Sequence, residues 1–323
     1  MPTDALTLLN TQFPWFPATC AGIFGAIVGS FLNVCIYRIP KGQSLLHPGS
    51  HCACGAPIPW HRNLPILAWL LLRGKAPCCG QSFSARYPLV ETLTAALFAI
   101  CWATLPWQQA VPGLVLVALL IVLAFIDLDS MLLPDTLNIS LAATGLALSV
   151  LLPGLHGETG GRLWIINSMN ALGASLTGIL IGAGLVYWIR LISSACAGRE
   201  AMGEGDIILL GGIGAFCSWQ GALFALFGGA LIGTIILLPL LFAKALFRNR
   251  GDATASKKRA AATSLASCEG DELPVGDETL GLSVPFGPWL ATGAVAWFLF
   301  FRTPMAQQIE PLKTLLMDNA VAR

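Results

Sequence analysis

The chain has 323 residues, of which 55% are hydrophobic and only 11% are charged, and its mean hydropathy is +0.73. Soluble globular domains carry about 25% charged residues, so this composition excludes a soluble protein and predicts an integral membrane protein. A formal net charge of +1 argues against a nucleic-acid partner, and four scattered histidines argue against a histidine-rich catalytic metal site.

Eight apolar stretches approach or exceed the roughly 20 residues that a helix needs to cross a bilayer. The predicted spans are 15–37, 88–107, 111–129, 134–153, 164–192, 205–219, 221–243 and 283–302. The sixth is short, and its Gly211, Gly212 and Gly214 would allow close contact between helices. The fold class predicted is an all-α polytopic membrane protein with about eight transmembrane helices.

The Lys and Arg residues fall unequally on the two sides that these spans define. Of the 18 in the chain, all except Arg162, Arg302, Lys313 and Arg323 lie on one side. Positive residues accumulate in the cytoplasm, so this side is predicted to be cytoplasmic and the first helix to have its N-terminus outside. The N-terminus lacks the positive region of a signal peptide, so the first span is expected to be retained.

Two polar insertions divide the chain further. The predicted organisation is a first transmembrane helix at 1–37, a small cytoplasmic cysteine-containing domain at 38–87, a membrane core at 88–247, a flexible cytoplasmic linker at 248–281, and a last helix with a tail at 282–323. The linker is rich in Ala, Ser, Gly and charge and lacks periodic apolar residues.

Two acidic motifs stand at the ends of apolar spans. The third span runs directly into Asp127, and the element Gly203-Glu-Gly-Asp206 begins the sixth. A carboxylate at membrane depth is costly and usually faces a protein interior or a wet cavity. We therefore predict that Asp127 and Asp206 meet near the cytoplasmic face. The alternative is that both are caps at the membrane boundary.

Other residues near the two acids are given supporting roles. Asp135, after Pro134, is predicted to cap the next helix, and Asp129 to be an interfacial acid. Gly203 and Gly205 would let the backbone pass close to a bound peptide, because glycine has no Cβ. Glu200 and Glu204 flank the second aspartate and could tune it or contact a basic substrate.

Four cysteines lie in the first polar insertion, as Cys52-Ala-Cys54 and Cys78-Cys79. Cytosolic thiols stay reduced, and a tetrahedral thiolate site is a common staple for a small domain, so we predict one zinc ion bound by these four residues. The spacing is unusual because neither pair is Cys-x-x-Cys. His51 is a possible alternative ligand, and unligated thiols in a folded loop are the alternative to a metal site.

Six ordered motifs resemble the type IV prepilin peptidase family of GxGD-type membrane aspartic peptidases. They are Gly29-Ser-Phe-Leu-Asn33-Val-Cys-Ile-Tyr-Arg38-Ile-Pro40; Trp60-His-Arg-Asn-Leu-Pro65 with Trp69-Leu-Leu-Leu-Arg73-Gly74-Lys75; Ser84-Ala-Arg86-Tyr87-Pro88-Leu-Val-Glu91; Ile126-Asp127-Leu-Asp129 with Leu133-Pro134-Asp135; Met202-Gly203-Glu-Gly205-Asp206; and Pro285-Phe286-Gly287-Pro288. The resemblance covers about residues 15–300.

The resemblance implies that Asp127 and Asp206 are the catalytic residues. It aligns Cys54 and Cys79 with the second cysteine of each zinc-binding pair, while His51 and Ala76 hold the expected first positions. The lysine that commonly follows the Gly-x-Gly-Asp element is Ile208 in this chain.

The function implied is an endopeptidase of the bacterial inner membrane that removes the basic leader of type IV prepilins or pseudopilins on the cytoplasmic side, usually after a glycine. Many family members also methylate the new N-terminus with S-adenosylmethionine, which makes a bifunctional enzyme the expectation. Its partners would be these substrates and the lipid bilayer, and no nucleic acid.

Two rival interpretations remain. In the first, the chain is a peptidase that has lost methylation together with zinc binding. In the second, it is a proton-coupled transporter that uses Asp127 and Asp206 as a relay. The second is weakened because the sequence shows no inverted repeat of interrupted helices.

Overall fold

The computed structural model describes residues 12–13, 15–47, 49, 52, 54–58, 64–158, 163–197, 203–262 and 285–302. The helices are α1 (Trp15–Arg38), α2 (Leu67–Leu71), α3 (Arg86–Thr104), α4 (Trp107–Ser130), α5 (Asp135–Leu151), α6 (Trp164–Ala197), α7 (Glu204–Ala262) and α8 (Gly287–Ala296). Over these residues no strand occurs, which confirms the all-α fold class. Short 3-10 segments follow α1 (Ile39–Lys41) and α5 (Pro153–His156), and a π-helical turn follows α8 (Trp297–Phe301).

Within the described part of the chain, five helical segments are long and apolar enough to cross a membrane. They are Trp15–Lys41, Arg86–Thr104, Trp107–Ser130, Trp164–Cys196 and Glu204–Pro239, and two shorter apolar segments are Asp135–Leu151 and Gly287–Phe301. The membrane character of the sequence is therefore confirmed, while the number of eight crossings stays a prediction.

Helix α7 doubles back on itself at Ser218, whose backbone is non-helical with φ +60° and ψ −176°. A Cβ at Gly182 of α6 would approach both Leu210, before the break, and Ala222, after it. Residues on either side of Ser218 therefore lie at the same level against α6. The two predicted spans 205–219 and 221–243 correspond to the two arms of this reversal.

A buried histidine holds this reversal in place. His156 lies 2.8 Å through Nδ1 from the Ser218 hydroxyl and 2.9 Å through Nε2 from the Ser175 hydroxyl. Because Ser175 donates onward to the Ala215 carbonyl, it accepts from His156 Nε2–H, and Ser218 donates to Nδ1. Burial lowers the pKa of His156 to about 3, so the imidazole is neutral and can both donate and accept.

Close helix contacts occur where glycines replace side chains. Helices α1 and α3 run antiparallel, and a Cβ at Gly25 would come within 2.9 Å of the Ala95 Cα. Helices α6 and α7 cross at Gly178 and Gly214, where a Cβ on either residue would overlap the other's carbonyl. The close contact predicted for the glycine run in the sixth span is therefore present.

Helix α7 continues to Ala262 and so overlaps the first part of the predicted linker, 248–281. The rest of that linker lies outside the described residues, and the domain boundaries stay predictions. Among the long apolar helices α4 is the most buried, and Leu116, Leu120 and Leu123 are almost inaccessible. Because α4 is buried among the other helices, Asp127 in its last turn is buried as well.

Candidate functional site

Asp127 lies in the last turn of the central helix α4 and is only 5% exposed. The helix ends at Met131, which adopts φ +52° and donates its N–H to the Asp127 carbonyl. The carboxylate Oδ2 accepts the backbone N–H of Gly287, at the start of α8, at 2.9 Å. A Cβ on Gly287 would stand 2.7 Å from that oxygen, so any larger residue here would displace the Asp127 carboxylate.

Asp206 lies in the first turn of α7 and is 7% exposed. Its Oδ2 accepts the N–H of Gly203 at 3.3 Å, the backward bond that an acid three residues into a helix makes in a capping box. Helix capping, the alternative to a functional role, thus describes one of its contacts. Capping does not account for its burial in an apolar bundle.

The structure brings together the chain segments that carry the two aspartates. Leu133, after α4, fills the space where Gly205 lacks a side chain, and a Cβ there would be 2.7 Å from the Leu133 Cβ. Asn138, fully buried in α5, donates its Nδ2 to the Gly205 carbonyl at 3.2 Å. Two motifs about 80 residues apart in sequence are therefore in contact in the fold.

Two neighbouring acids form ion pairs with arginines and do not join the two buried aspartates. Asp129, which is exposed, forms an ion pair with Arg86 at 2.6 Å, and its interfacial place stays a prediction. Glu204 pairs with Arg190 at 3.1 Å. The predicted capping by Asp135 is wrong: Pro134 holds the N-cap position without a side-chain hydrogen bond, and Asp135 is the first helical residue and exposed.

Gly203 and Gly205 both make contacts within the protein. The N–H of Gly203 donates to Asp206, and the missing side chain of Gly205 leaves room for Leu133. Glu200 lies outside the described residues, as does His51.

Sequence reasoning missed Gly287 and Asn138 as parts of the site. Gly287 belongs to the Pro285-Phe286-Gly287-Pro288 motif, for which no role was predicted, and its partner is 160 residues away in the chain. Asn138 carries a weak signal: it is a polar residue within the apolar stretch 134–153, where a buried amide needs a partner.

The four cysteines of the insertion form a second cluster. Their sulfurs all lie within 4.8 Å of one another, with Cys52 and Cys79 at 3.6 Å and Cys54 and Cys78 at 3.5 Å. A zinc–sulfur bond of about 2.3 Å gives a tetrahedron with an edge of about 3.8 Å, so these separations fit one tetrahedral thiolate site. The Cys-x-Cys and Cys-Cys spacings therefore do not prevent all four residues from meeting.

Two glycine turns bring the pairs into place. Gly55 follows Cys54 with φ +85°, and Gly80 follows Cys79 with φ +70°. The N–H of each glycine closes its turn at 2.8 Å, to the carbonyls of Cys52 and Ala76 respectively. A positive φ is costly for most other residues, so glycine suits both positions.

The thiols also influence one another's protonation. Hydrogen bonds from the Cys54 backbone and from the Cys78 and Cys79 thiols lower the pKa of Cys52 to about 7. Hydrogen bonding to Cys52 and Cys54 raises the pKa of Cys78 to about 12. A cluster of exposed sulfurs at this separation could hold a metal ion, which binds thiolates in preference to thiols.

Two protein-family profiles match the chain, one over the cysteine cluster and one over the two aspartates. The profile of the bacterial peptidase A24 N-terminal domain matches residues 23–105, which include the cysteine cluster. The profile of the type IV leader peptidase family matches residues 114–238, which include Asp127 and Asp206. No solved structure matches the chain.

Curated relatives match most of the chain. A prepilin leader peptidase/N-methyltransferase of Klebsiella pneumoniae is 36% identical over 218 residues, which are 65% of this chain and 89% of the relative. One of Pectobacterium carotovorum subsp. carotovorum is 34% identical over 73% of this chain and 87% of its own. One of Myxococcus xanthus is 39% identical over 67% of this chain and 62% of its own. The chain belongs to the type IV leader peptidase family.

Proposed function

We propose that this protein is a membrane aspartic endopeptidase that removes the leader from type IV prepilins or pseudopilins and methylates the new N-terminus. The observation that carries the proposal is that Asp127 and Asp206 are both buried and that the chain segments carrying them meet where Leu133 packs on Gly205. The relatives named prepilin leader peptidase/N-methyltransferase support both the cleavage and the methylation. They also favour a peptidase over a proton-coupled transporter.

Two carboxylates that share one proton can hydrolyse a peptide bond. The ionised aspartate takes a proton from water as the water attacks the scissile carbonyl. The protonated partner donates a hydrogen bond to the carbonyl oxygen and then passes its proton to the leaving amine. Each aspartate thus has a role that an amide in the same position could not perform.

The Gly287 N–H contributes orientation to this chemistry. By donating to Oδ2 of Asp127, it holds that oxygen and so directs the plane of the carboxylate. Gly203 does the same for Asp206 through its own N–H. A fixed orientation matters because a reacting group displaced by about 1 Å can lose about 10²-fold in rate.

For the cysteine cluster we propose one zinc ion as a structural staple. The insertion is short and has a small apolar complement, and domains of this size usually need a metal or disulfides to fold. Cys52, Cys54, Cys78 and Cys79 would supply all four ligands at the separations that tetrahedral zinc requires. Bound zinc would supply cross-linking here and no reaction step.

Methylation requires S-adenosylmethionine as the methyl donor. The full-length insertion and the names of the relatives are what support this second activity.

The proposed location is the bacterial inner membrane, with the aspartates near the cytoplasmic face. The end of α1, the start of α3, the end of α4 and the start of α7 lie together, and the lysines and arginines concentrate on this side. Reporter fusions within 38–87 and 248–281 are expected to report cytoplasm. A periplasmic signal from either segment would contradict the orientation.

The function can be tested by co-expression with a candidate prepilin in a host that lacks its own leader peptidase. Cleavage is expected to shift the pilin to higher mobility, and mass spectrometry of the mature N-terminus is expected to show one added methyl group. Cleavage without the methyl group would reduce the proposal to a peptidase. No cleavage of any prepilin or pseudopilin, by protein shown to be inserted in the membrane, would contradict it.

A further inference from the structure

An uncovered apolar surface lies on the insertion that the sequence assigns to the cytoplasm. The segment 64–72 contains the short helix α2, and four of its leucines are strongly exposed: Leu64 at 43%, Leu67 at 55%, Leu70 at 57% and Leu71 at 79%. Single exposed apolar side chains are ordinary, but four within eight residues form a patch that requires a partner.

The same segment is tied to the interior of the membrane bundle. The backbone N–H of Ile66 donates to Oε2 of Glu91 in α3 at 2.7 Å, and Glu91 is only 8% exposed. Ile66 itself has φ +62°, an unfavourable value for a β-branched residue, so this contact holds a strained turn in place. The buried Glu91 carboxylate therefore fixes the position of this segment relative to α3.

The depth of this contact follows from the helix geometry. Glu91 packs against Gly29 of α1, where a Cβ would be 2.8 Å from the Glu91 Cα. Gly29 precedes the end of α1 at Arg38 by nine residues, or about 13 Å at about 1.5 Å per residue. Glu91 follows the start of α3 at Arg86 by five residues, or about 7 Å. The segment therefore contacts a side chain rooted more than one turn inside α3.

The side chain of Ile66 borders the outer surface of the same two helices. It lines an apolar groove together with Ile23 and Ala26 of α1 and Ala95 and Ala99 of α3. These residues belong to two of the helices apolar and long enough to cross a membrane. A side chain that lines the outer surface between two such helices faces the lipid that surrounds them.

We propose that residues 64–72 form a membrane anchor embedded in the cytoplasmic leaflet, with the leucines of α2 among the acyl chains. Arg73 and Lys75 follow directly and are exposed, where they would meet anionic headgroups. This is the pattern of an interfacial segment, which places apolar residues in the hydrocarbon and basic residues at its edge. The bilayer is the occupant favoured because the patch is continuous with the lipid-facing groove of α1 and α3.

The anchor would also fix the position of the cysteine cluster. Trp69 of α2 donates its Nε1–H to the Phe83 carbonyl at 3.4 Å, and Phe83 donates its N–H to the Gly74 carbonyl at 2.9 Å. These bonds join α2 to the two ends of the turn that carries Cys78 and Cys79. An embedded α2 would therefore hold the cluster against the membrane surface, at the end of the bundle where Asp127 and Asp206 lie.

The proposal can be tested by photo-crosslinking of the full-length protein in vesicles of phosphatidylethanolamine and phosphatidylglycerol. The photoreactive residue p-benzoylphenylalanine is placed, one position at a time, at Leu70 or Leu71. Ile27, exposed on α1, is the control for lipid contact, and Gln81, exposed on the cysteine-bearing turn, is the control for water. All four positions are exposed, so the substitutions do not disturb buried packing. Mass spectrometry of the illuminated protein measures the lipid adducts.

Positions 70 and 71 are expected to give lipid adducts within about twofold of position 27 and at least about tenfold above position 81. Adduct yields at 70 and 71 that match position 81 would overturn the proposal. Crosslinks from these positions to a second copy of the chain, in place of lipid, would also overturn it. The measurement requires no peptidase activity, so it stays informative whether or not a prepilin is cleaved.

Discussion

The two polar centres of this protein are built in opposite ways. Asp127 and Asp206 come from helices about 80 residues apart in sequence, and both are almost completely buried. The four cysteines come from two turns less than 30 residues apart and are mostly exposed. The aspartates are held by backbone N–H groups of glycines, whereas the cysteine sulfurs have mainly one another as side-chain partners.

The aspartate site is thus formed by helix packing, whereas the cysteine site needs a bound metal ion to hold it together. The aspartates are positioned by α4, α7 and α8, which are held together by packing of their buried side chains. Mostly exposed thiols have little packing to hold their sulfurs within 4.8 Å of one another, so a metal is the natural source of their stability. The two centres should therefore respond differently to mutation and to metal removal.

The largest effect is expected from replacing either buried acid. Asp127→Asn and Asp206→Asn should each lower leader cleavage by about 10²-fold to 10⁴-fold, because an amide cannot act as base or share a proton. Cleavage of a co-expressed prepilin, scored by gel mobility, measures the loss, and membrane fractionation checks insertion. Robust processing by either variant would remove that aspartate from the mechanism.

The second effect concerns the contact that the sequence analysis did not identify. Gly287→Ala should lower cleavage by about tenfold to 10²-fold, since its Cβ would stand 2.7 Å from Oδ2 of Asp127 and displace the carboxylate. Gly184→Ala is the matched control, because a Cβ there meets no atom within 4 Å. Equal cleavage rates for the two variants would mean that the Gly287 N–H does not position Asp127.

The third effect tests whether the centres are independent. Cys54→Ser should lower zinc content, loosen the insertion towards protease, and reduce methylation by about tenfold while cleavage changes less, because the aspartates lie on other helices. Metal analysis, limited proteolysis and the methyl content of the mature pilin measure these three results. A chelator applied to the wild type should reproduce them.

Near-zero zinc in the wild type, with the insertion still resistant to protease, would contradict the staple. The insertion would then be held by packing, and the contrast between the two centres would disappear. Equal losses of cleavage and methylation in Cys54→Ser would show instead that the centres are coupled.

The sequence was sufficient for features that depend on composition and local pattern. Apolar length predicted the membrane helices, of which five are long enough to cross a bilayer, and the expense of a carboxylate at membrane depth singled out two aspartates that are indeed buried, Asp127 and Asp206. The reversal at Ser218 was also located, because two spans were predicted where the structure has one interrupted helix. These features are each encoded within a short stretch of chain.

Contacts between distant segments could not be predicted in this way. Gly287 reaches Asp127 only because α8 packs beside α4, and Asn138 reaches Gly205 only because α5 crosses the start of α7. The cysteine spacing looked unsuitable for one metal because sequence distance does not show how the turns at Gly55 and Gly80 fold the two pairs together. Asp135 was misassigned by a single position, the usual uncertainty in a helix start.

The smallest effect is therefore expected at Asp135. It is exposed and makes no capping hydrogen bond, so its contribution is the attraction between its charge and the N-terminus of α5, which is about 0.3–1 kcal/mol at most surface sites. Asp135→Asn should leave cleavage within about twofold of wild type and lower thermal stability only slightly. Measured beside Asp127→Asn, it separates an acid that only flanks the site from one buried within it. A loss as large as that of Asp127→Asn would mean that Asp135 takes part in the reaction, and that burial is the wrong criterion for choosing the catalytic pair.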